Sequence, residues 1–512
     1  MLNSVRIRPF SGRPKVRRPP GSCWTERNGK RHSDSPRSGS NERKCCPAAA
    51  TIGEIRRRLH STLSYAATVE IDSGFRCPIC TGLEVVTLDA IVVGAGVVGV
   101  TAALALQQRG LKVMLLDQQA VAQGCSRVNA GVICPGAFPF STQFPIPDLP
   151  AAFFKTGSYA AVDWRSVPRL LSWAIKYAKA TSADMVWHGT HLLHELCRDS
   201  LRAFELLLGS DLPPINRCGY LAVHLSSPEV NRATLLNSIR ISLGAAARMV
   251  SGVELAALEP AICGLAVGQN SADATFLAGS AHVTEPAAFV DSLADVFVRR
   301  GGILRVEKVQ RLVSARSGQA TVRCARGDFS AKSVVLATGA HTNRLLADCG
   351  HRIPLVAETG YQLELDVEPG FISRPVSLPS LGVVLTPSEY GARISGVSHF
   401  GAPGFRARTD LLSSALDRVR EHLPMLRARP GFEVRSGERP AMPDSLPVVE
   451  QVPRHPSIFV STGHGHLGLT LAAVSSEILA DLVTVGSSSY ESALSSKRFR
   501  ENMKRPMVLQ AA

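Results

Sequence analysis

Aromatic side chains are scarce in this 512-residue chain: 4 Trp, 7 Tyr and 18 Phe, 6% of the residues. They are not interleaved with arginine, so the main body lacks the stacking platforms of a single-strand nucleic-acid groove. No run of 18 apolar residues free of charge occurs, so no membrane-spanning helix is expected. No apolar stretch follows the first basic residues, which excludes a secretory signal peptide. Internal repeats are absent. Cys77-Pro-Ile-Cys80 has the spacing of half a zinc site, but no second CxxC pair follows it. No metal is therefore expected. Seven of the 12 cysteines lie scattered through the body in apolar company, as free thiols of a reducing compartment do.

Acidic residues are few where basic ones are dense. Residues 1–87 hold 16 Lys+Arg against 7 Asp+Glu, a net of +9 out of the total of +15. The other 425 residues hold 41 and 35, a net of +6. The basicity is thus largely a property of a leader rich in Pro, Ser, Gly and Arg, which reads as disordered. An Arg- and Ser-rich transit segment and an upstream start codon are both open. A nucleic-acid partner is not expected. The body is long enough for two or three domains.

What is present is concentrated at the start of that body. Residues 87–118 read TLDAIVVGAGVVGVTAALALQQRGLKVMLLDQ. Ala90–Val93 predicts a strand, Val97–Gln108 a helix ended by Gly110, and Lys112–Leu116 a second strand closing on Asp117. Gly94, Gly96 and Gly99 form G-x-G-x-x-G between the first two. Gly94 makes the tight turn, Gly96 lets backbone approach a pyrophosphate, and Gly99 permits close helix–strand packing. Val97 and Val98 begin the helix whose free N–H groups would meet the phosphates. Asp117, 23 residues after Gly94, is placed for ribose hydroxyls and disfavours a 2′-phosphate. The loop QGCSRVNAGVICPG at 123–136 adds a cradle that a nicotinamide cofactor would not need and a flavin would.

Farther on, Trp164–Lys179, His191–Leu208, Phe289–Arg300 and Leu411–Leu423 predict helices. Ala222–His224 and Leu304–Glu307 predict strands, and Gln319–Cys324 with Asp328–Ser330 a hairpin. Lys332–Gly339 is an apolar strand returning to the cofactor. Tyr361–Leu365, Gly382–Leu385 and Ala392–Val397 suggest an antiparallel sheet in a second domain. GERPAMPDSLPVVE at 437–450 predicts a proline-fixed loop carrying Arg439 and Asp444. STGHGHLGLT at 461–470 predicts a strand end, a glycine turn and the start of the helix Leu467–Val483.

The ordered set GAGVVG with Asp117, SRVNAG at 126–131, VVLATGAHT at 335–342, GERPAMPDSLPVV and TGHGHLGLTLA resembles the FAD-dependent oxidoreductases of the D-amino-acid oxidase superfamily. The likeness spans about Leu88 to Val483 and leans to the bacterial D-amino-acid dehydrogenases of the small-subunit type. It implies an α/β two-domain fold, with a Rossmann-like FAD-binding domain interleaved with an antiparallel-sheet substrate domain. The first would comprise 88–200, 281–348 and 431–490, and the second 201–280 and 349–430, followed by a tail at 491–512. The resemblance assigns the substrate carboxylate to Arg439 and makes Tyr361 and His464 active-site residues, with His466 local to this chain. It assigns FAD to Gly94, Gly96, Val97, Val98, Gly99, Asp117, Ser126, Arg127, Asn129, Ala130, Gly131, Val309, Thr338, Gly339 and Asp444. Gly463, His464, Gly465, Gly468, Leu469 and Thr470 complete that set. Relatives that attach flavin covalently use a cysteine between the ATG strand and the GxRP element; Cys349, the only one there, falls too soon after the strand, so FAD is expected to be non-covalent. Of the other departures from the family, His341 stands where relatives carry an aromatic.

The implied reaction is oxidation of a D-amino acid by hydride transfer from Cα to flavin N5, then hydrolysis to a 2-oxo acid and ammonia. A secondary amine or cyclic imino acid (sarcosine, D-proline, D-hydroxyproline) is an open alternative substrate, and a non-catalytic flavin-binding protein an alternative of another class. The resemblance implies a quinone or other respiratory-chain acceptor, with O₂ as the oxidase alternative. A cytoplasmic location is expected, with a peripheral contact at the inner face of the cell membrane through the basic leader.

Overall fold

The protein is represented by a computed structural model that describes residues 87–142, 159–265, 273–314 and 318–499. The leader readings, including Cys77 and Cys80, lie outside those residues.

The glycine-containing segment opens the first sheet. Leu88–Val93 pairs in parallel with Val113–Asp117 on one side and with the end of Gly327–Leu336 on the other. Ile303–Val306 extends the parallel part beyond Val113–Asp117, and Ile458–Thr462 extends it beside Val334–Leu336. These strands are apolar almost throughout, as strands covered on both faces must be. Val309–Ser314 and Ala320–Cys324 join by antiparallel pairing, as does Val448–Gln451. The sheet is therefore mixed, with a parallel centre. Gly327–Leu336 performs both jobs, starting as a hairpin arm and ending in the parallel centre.

The helix Val97–Gln108 is buried from Val97 to Leu106 except at Val98. Gly99, Thr101 and the alanines at 102, 103 and 105 keep its side chains small, which allows close approach of the helix Gly468–Thr484, where Thr101 Oγ1 donates to the Ala472 carbonyl at 3.1 Å. By length and composition Gly465–Thr484 could cross a membrane, but 61% of its apolar window is buried inside this domain. Its outward acids, Glu477 and Asp481, pair with Arg109.

The second sheet runs in the order Arg435–Ala441, Val356–Asp366, Gly391–Gly401, Val383–Ser388, Val376–Leu378, Tyr220–His224, Asp273–Leu277, Ala247–Val250. Two segments expected in the first domain belong to it, and one of its pairings is not the antiparallel one expected. Arg435–Ala441, expected in the first domain as a loop, forms seven antiparallel pairs with Val356–Asp366. Pro440, which has no N–H to give, is accommodated because this is the sheet's edge. Ala160–Val162, also expected in the first domain, pairs in parallel with Ser398–Phe400. The sheet is not wholly antiparallel either, since Tyr220–His224 lies parallel to Val376–Leu378; a long connection separates the two, as parallel neighbours require.

The helix expected over 191–208 is two, Ala183–Arg198 and Ser200–Leu208, with Asp199 between them. The described part of the tail is anchored. Glu450 accepts hydrogen bonds from Ser495 Oγ and Ser496 N, both at 2.8 Å, and Arg498 pairs with Asp444 at 2.7 Å.

Candidate active site

One cavity of about 970 Å³ runs from the glycine loop to the underside of the second sheet. At its first end Gly94 has φ +110° and lies so close to Ala337 that a Cβ would meet the Ala337 carbonyl. A Cβ on Gly99 would strike the Gly94 carbonyl, so Gly99 serves helix–strand packing and does not line the cavity. Gly96, Val97 and Val98 do line it. Gly96 offers the helix no side-chain cap; instead Ser126 Oγ, 29 residues away, accepts from Val97 N at 3.0 Å. The next amide, that of Val98, has no intrahelical acceptor either, and Val98 lines the same space. Asp117 closes this end, accepting from Ala95 N at 2.7 Å and Gln119 N at 2.9 Å. Val309 stands beside it, because Glu307 N donates to the Asp117 carbonyl at 2.6 Å.

The middle of the cavity is built from backbone. Asn129 Oδ1 accepts from Gly131 N at 2.7 Å, turning the chain so that Asn129 and Ala130 line the wall. Gly339 follows Thr338 with φ +56°, and its carbonyl accepts from Thr342 Oγ1 and Thr462 Oγ1. Across from it Gly465, Gly468 and Thr470 present the start of the helix Gly468–Thr484. Thr470 Oγ1 accepts from Cys134 N at 3.2 Å, tying this helix to the loop after the second strand.

The far end carries the side-chain chemistry. Arg439 Nη1 donates to Glu358 Oε1 at 3.1 Å. The same carboxylate accepts from Ser398 Oγ at 2.6 Å, and His466 Nε2 lies 2.6 Å from Oε1. Glu358 is 1% exposed. Burial alone would raise its carboxyl, but the neighbouring His466 and Arg439 outweigh that and hold it at about 2. The Arg439 guanidinium lies directly on Gly360, where any Cβ would occupy its place. His466 stacks on Phe140 with ring centroids 5.0 Å apart, and Phe400 and Trp173 continue this aromatic wall. His341, beside them, lies 3.3 Å from Glu438.

A family model described as FAD dependent oxidoreductase matches residues 89–482. The chain belongs to this family. It is similar to the D-amino acid dehydrogenase of Dechloromonas aromatica (strain RCB), with 26% identity over 410 residues, 77% of this chain and 96% of that protein. Among solved structures it resembles glycine oxidase from Geobacillus kaustophilus (20% identity, TM-score 0.59, covering 80% of this chain and 99% of that one). It also resembles L-proline dehydrogenase from P. horikoshii (17% identity, TM-score 0.61, 81% and 98%). At such identities these two structures speak for the fold.

Family membership makes FAD the cofactor, and the glycine cradle that a Cβ would fill fits a dinucleotide. Several residues expected at the FAD site stand elsewhere. Arg127 is exposed and donates to Gln123 Oε1. Gly131 and Gly463 have φ +75° and +82° and support the turns from behind. Leu469 is core, because it falls on the packed face of its helix. Asp444 is committed to Arg498 and is absent from the wall; its neighbour Ser445 lines the cavity instead. Tyr361 is also corrected. Strand alternation turns it away from Glu358 and Gly360, and its buried hydroxyl lies 2.9 Å from His399 Nδ1 and accepts from Arg408 N at 2.9 Å. His464 reaches the cavity but lies 3.0 Å from Ser475 Oγ, and burial pushes it down to about 4, so it is neutral. Both histidines line the cavity, and His466 is the one paired with the acid. Sequence reasoning missed Glu358 and His466, because nothing in the spacing of 358, 439 and 466 announces that they meet.

Proposed function

We propose that this protein oxidises D-amino acids to 2-oxo acids and ammonia and passes the electrons to a quinone-type acceptor. The observation that carries this reading is Arg439, a guanidinium seated in the cavity on Gly360 with one nitrogen held by a buried carboxylate. Its remaining donors form a rigid fork suited to an α-carboxylate. Holding the carboxylate there fixes the substrate against the backbone wall of Gly339, Gly465 and Gly468. FAD, when bound, supplies the hydride acceptor. The aromatic wall of Phe140, Trp173 and Phe400 excludes water beside the amine and gives an apolar side chain a surface to cover. Non-covalent attachment is supported by Cys349, which does not line the cavity and whose thiol burial pushes up to about 11.

The aromatic wall also favours a second reading, oxidation of a ring-bearing secondary amine such as D-proline or D-hydroxyproline. We place the protein in the cytoplasm with a peripheral membrane contact, on the strength of the basic leader. Anaerobic bleaching of the purified flavoprotein with D-amino acids, D-proline, D-hydroxyproline and sarcosine tests the substrate class. Rapid bleaching by primary D-amino acids supports the first reading, and bleaching by the cyclic amines alone replaces it with the second. Peroxide formation at the turnover rate would exclude the quinone acceptor.

A further inference from the structure

The oxidation requires an amine without its extra proton, whereas amino acids arrive as ammonium ions near neutral pH. We propose that His466, positioned by Glu358, accepts that proton. The inference rests on the amine-oxidation reading above. Three observations carry it. His466 belongs to the cavity wall and keeps 40% of its side chain exposed, so it can touch substrate and later exchange a proton with solvent. Its Nε2 is turned toward Glu358 at 2.6 Å, which leaves the Nδ1 lone pair without a partner among the described residues. Its ring is fixed by the stack on Phe140.

The geometry separates two jobs on one carboxylate. Glu358 orients Arg439 for the substrate carboxylate and, through the same oxygen, orients His466 beside it. A carboxylate behind an imidazole fixes its tautomer and its orientation, leaving the other nitrogen with its lone pair toward the cavity. The proton moves from the substrate nitrogen to Nδ1, the N–H bond electrons stay on the amine as its lone pair, and the imidazolium formed is balanced by Glu358. The other groups near this cluster are Arg439 and Glu438 on the edge strand, His341 against Glu438, neutral His464 in the same turn, and Cys125, whose thiol burial pushes up to about 11. None of them is recorded against the free side of the His466 ring.

The test compares holoenzyme and the His466→Gln variant by anaerobic stopped-flow reduction with the best amine substrate, from pH 6 to pH 10. Glutamine keeps a polar side chain in the turn but cannot take up the proton. The expected result is a loss of about 100-fold or more at pH 7. That loss should shrink as pH rises toward the substrate's own pKa, where solution supplies the neutral amine. Added imidazole should restore part of the rate in His466→Ala. A His466→Gln rate and pH profile matching the parent would overturn the proposal, as would a loss of equal size at every pH. If no amine bleaches the parent enzyme, the amine-oxidation reading itself falls and takes this proposal with it.

Discussion

The two ends of the cavity are built on different principles. At the nucleotide end the work is done by backbone: Gly94 and Gly96 clear space, Ser126 caps a helix, and Asp117 clamps the loop. At the far end it is done by polar side chains, Arg439, Glu358 and His466, brought together from two adjacent strands and a turn. The first is written within about thirty consecutive residues and depends on the absence of side chains. The second depends on which strands pair, and its members are spread across the latter third of the sequence.

The comparison can be broken at either end. The largest expected effect is at the nucleotide end. Gly94→Val puts a branched side chain into φ +110° and into the Ala337 carbonyl, so the purified variant should lack visible flavin absorbance. Retention of stoichiometric FAD would show that the glycine cradle is not the cofactor site. Next, Gly360→Ala should displace the Arg439 guanidinium while leaving FAD in place. A rise in KM of about tenfold or more, with full flavin content, is expected from the loss of the positioned fork.

Acid should loosen both ends through buried histidines. His282, His399 and His464 are each pushed down to about 4, chiefly by burial. Unfolded, they titrate near 6.5, so the unfolded chain binds more protons between those values. Their contribution is fully present above about pH 6.5 and is lost as pH falls toward 4. Chemical denaturation across that range should show stability falling with acid by up to about 1.4 kcal/mol per pH unit for each histidine. The smallest effect expected is that of Tyr361→Phe. It removes a hydroxyl bonded to Arg408 N, at a cost of about 1 kcal/mol, and should leave kcat/KM unchanged. A large loss of activity would return Tyr361 to the substrate.

The same contrast explains what could be read in advance. The strand–glycine–helix–strand unit was legible because every part is local: Val97–Gln108 is helical over the residues expected from its Ala and Leu content and the Gly110 stop. The apolar run at 332–339 was legible as a strand but not as the end of a ten-residue strand whose start belongs to a hairpin. Arg439 was legible through its motif, yet its strand was taken for a loop, because proline content is local while edge position is a property of the sheet. Tyr361 lies off the cavity because a family resemblance does not reveal which side of a strand faces it. Gly360, the residue before it, is what Arg439 uses. Glu358 has no sequence signal, and the glycine turn at 461–470 shows His466 without telling that it meets Glu358, since that contact spans more than a hundred residues.

The most direct test of the account uses two substrates and two proteins. Anaerobic flavin reduction is measured for the parent and for Arg439→Ala, each with a D-amino acid and with the corresponding amine lacking the carboxylate. The account predicts that the parent prefers the amino acid by a factor of about 100 or more in kcat/KM, and that Arg439→Ala loses this preference while keeping its FAD. A preference for the carboxylate that survives in Arg439→Ala would contradict it.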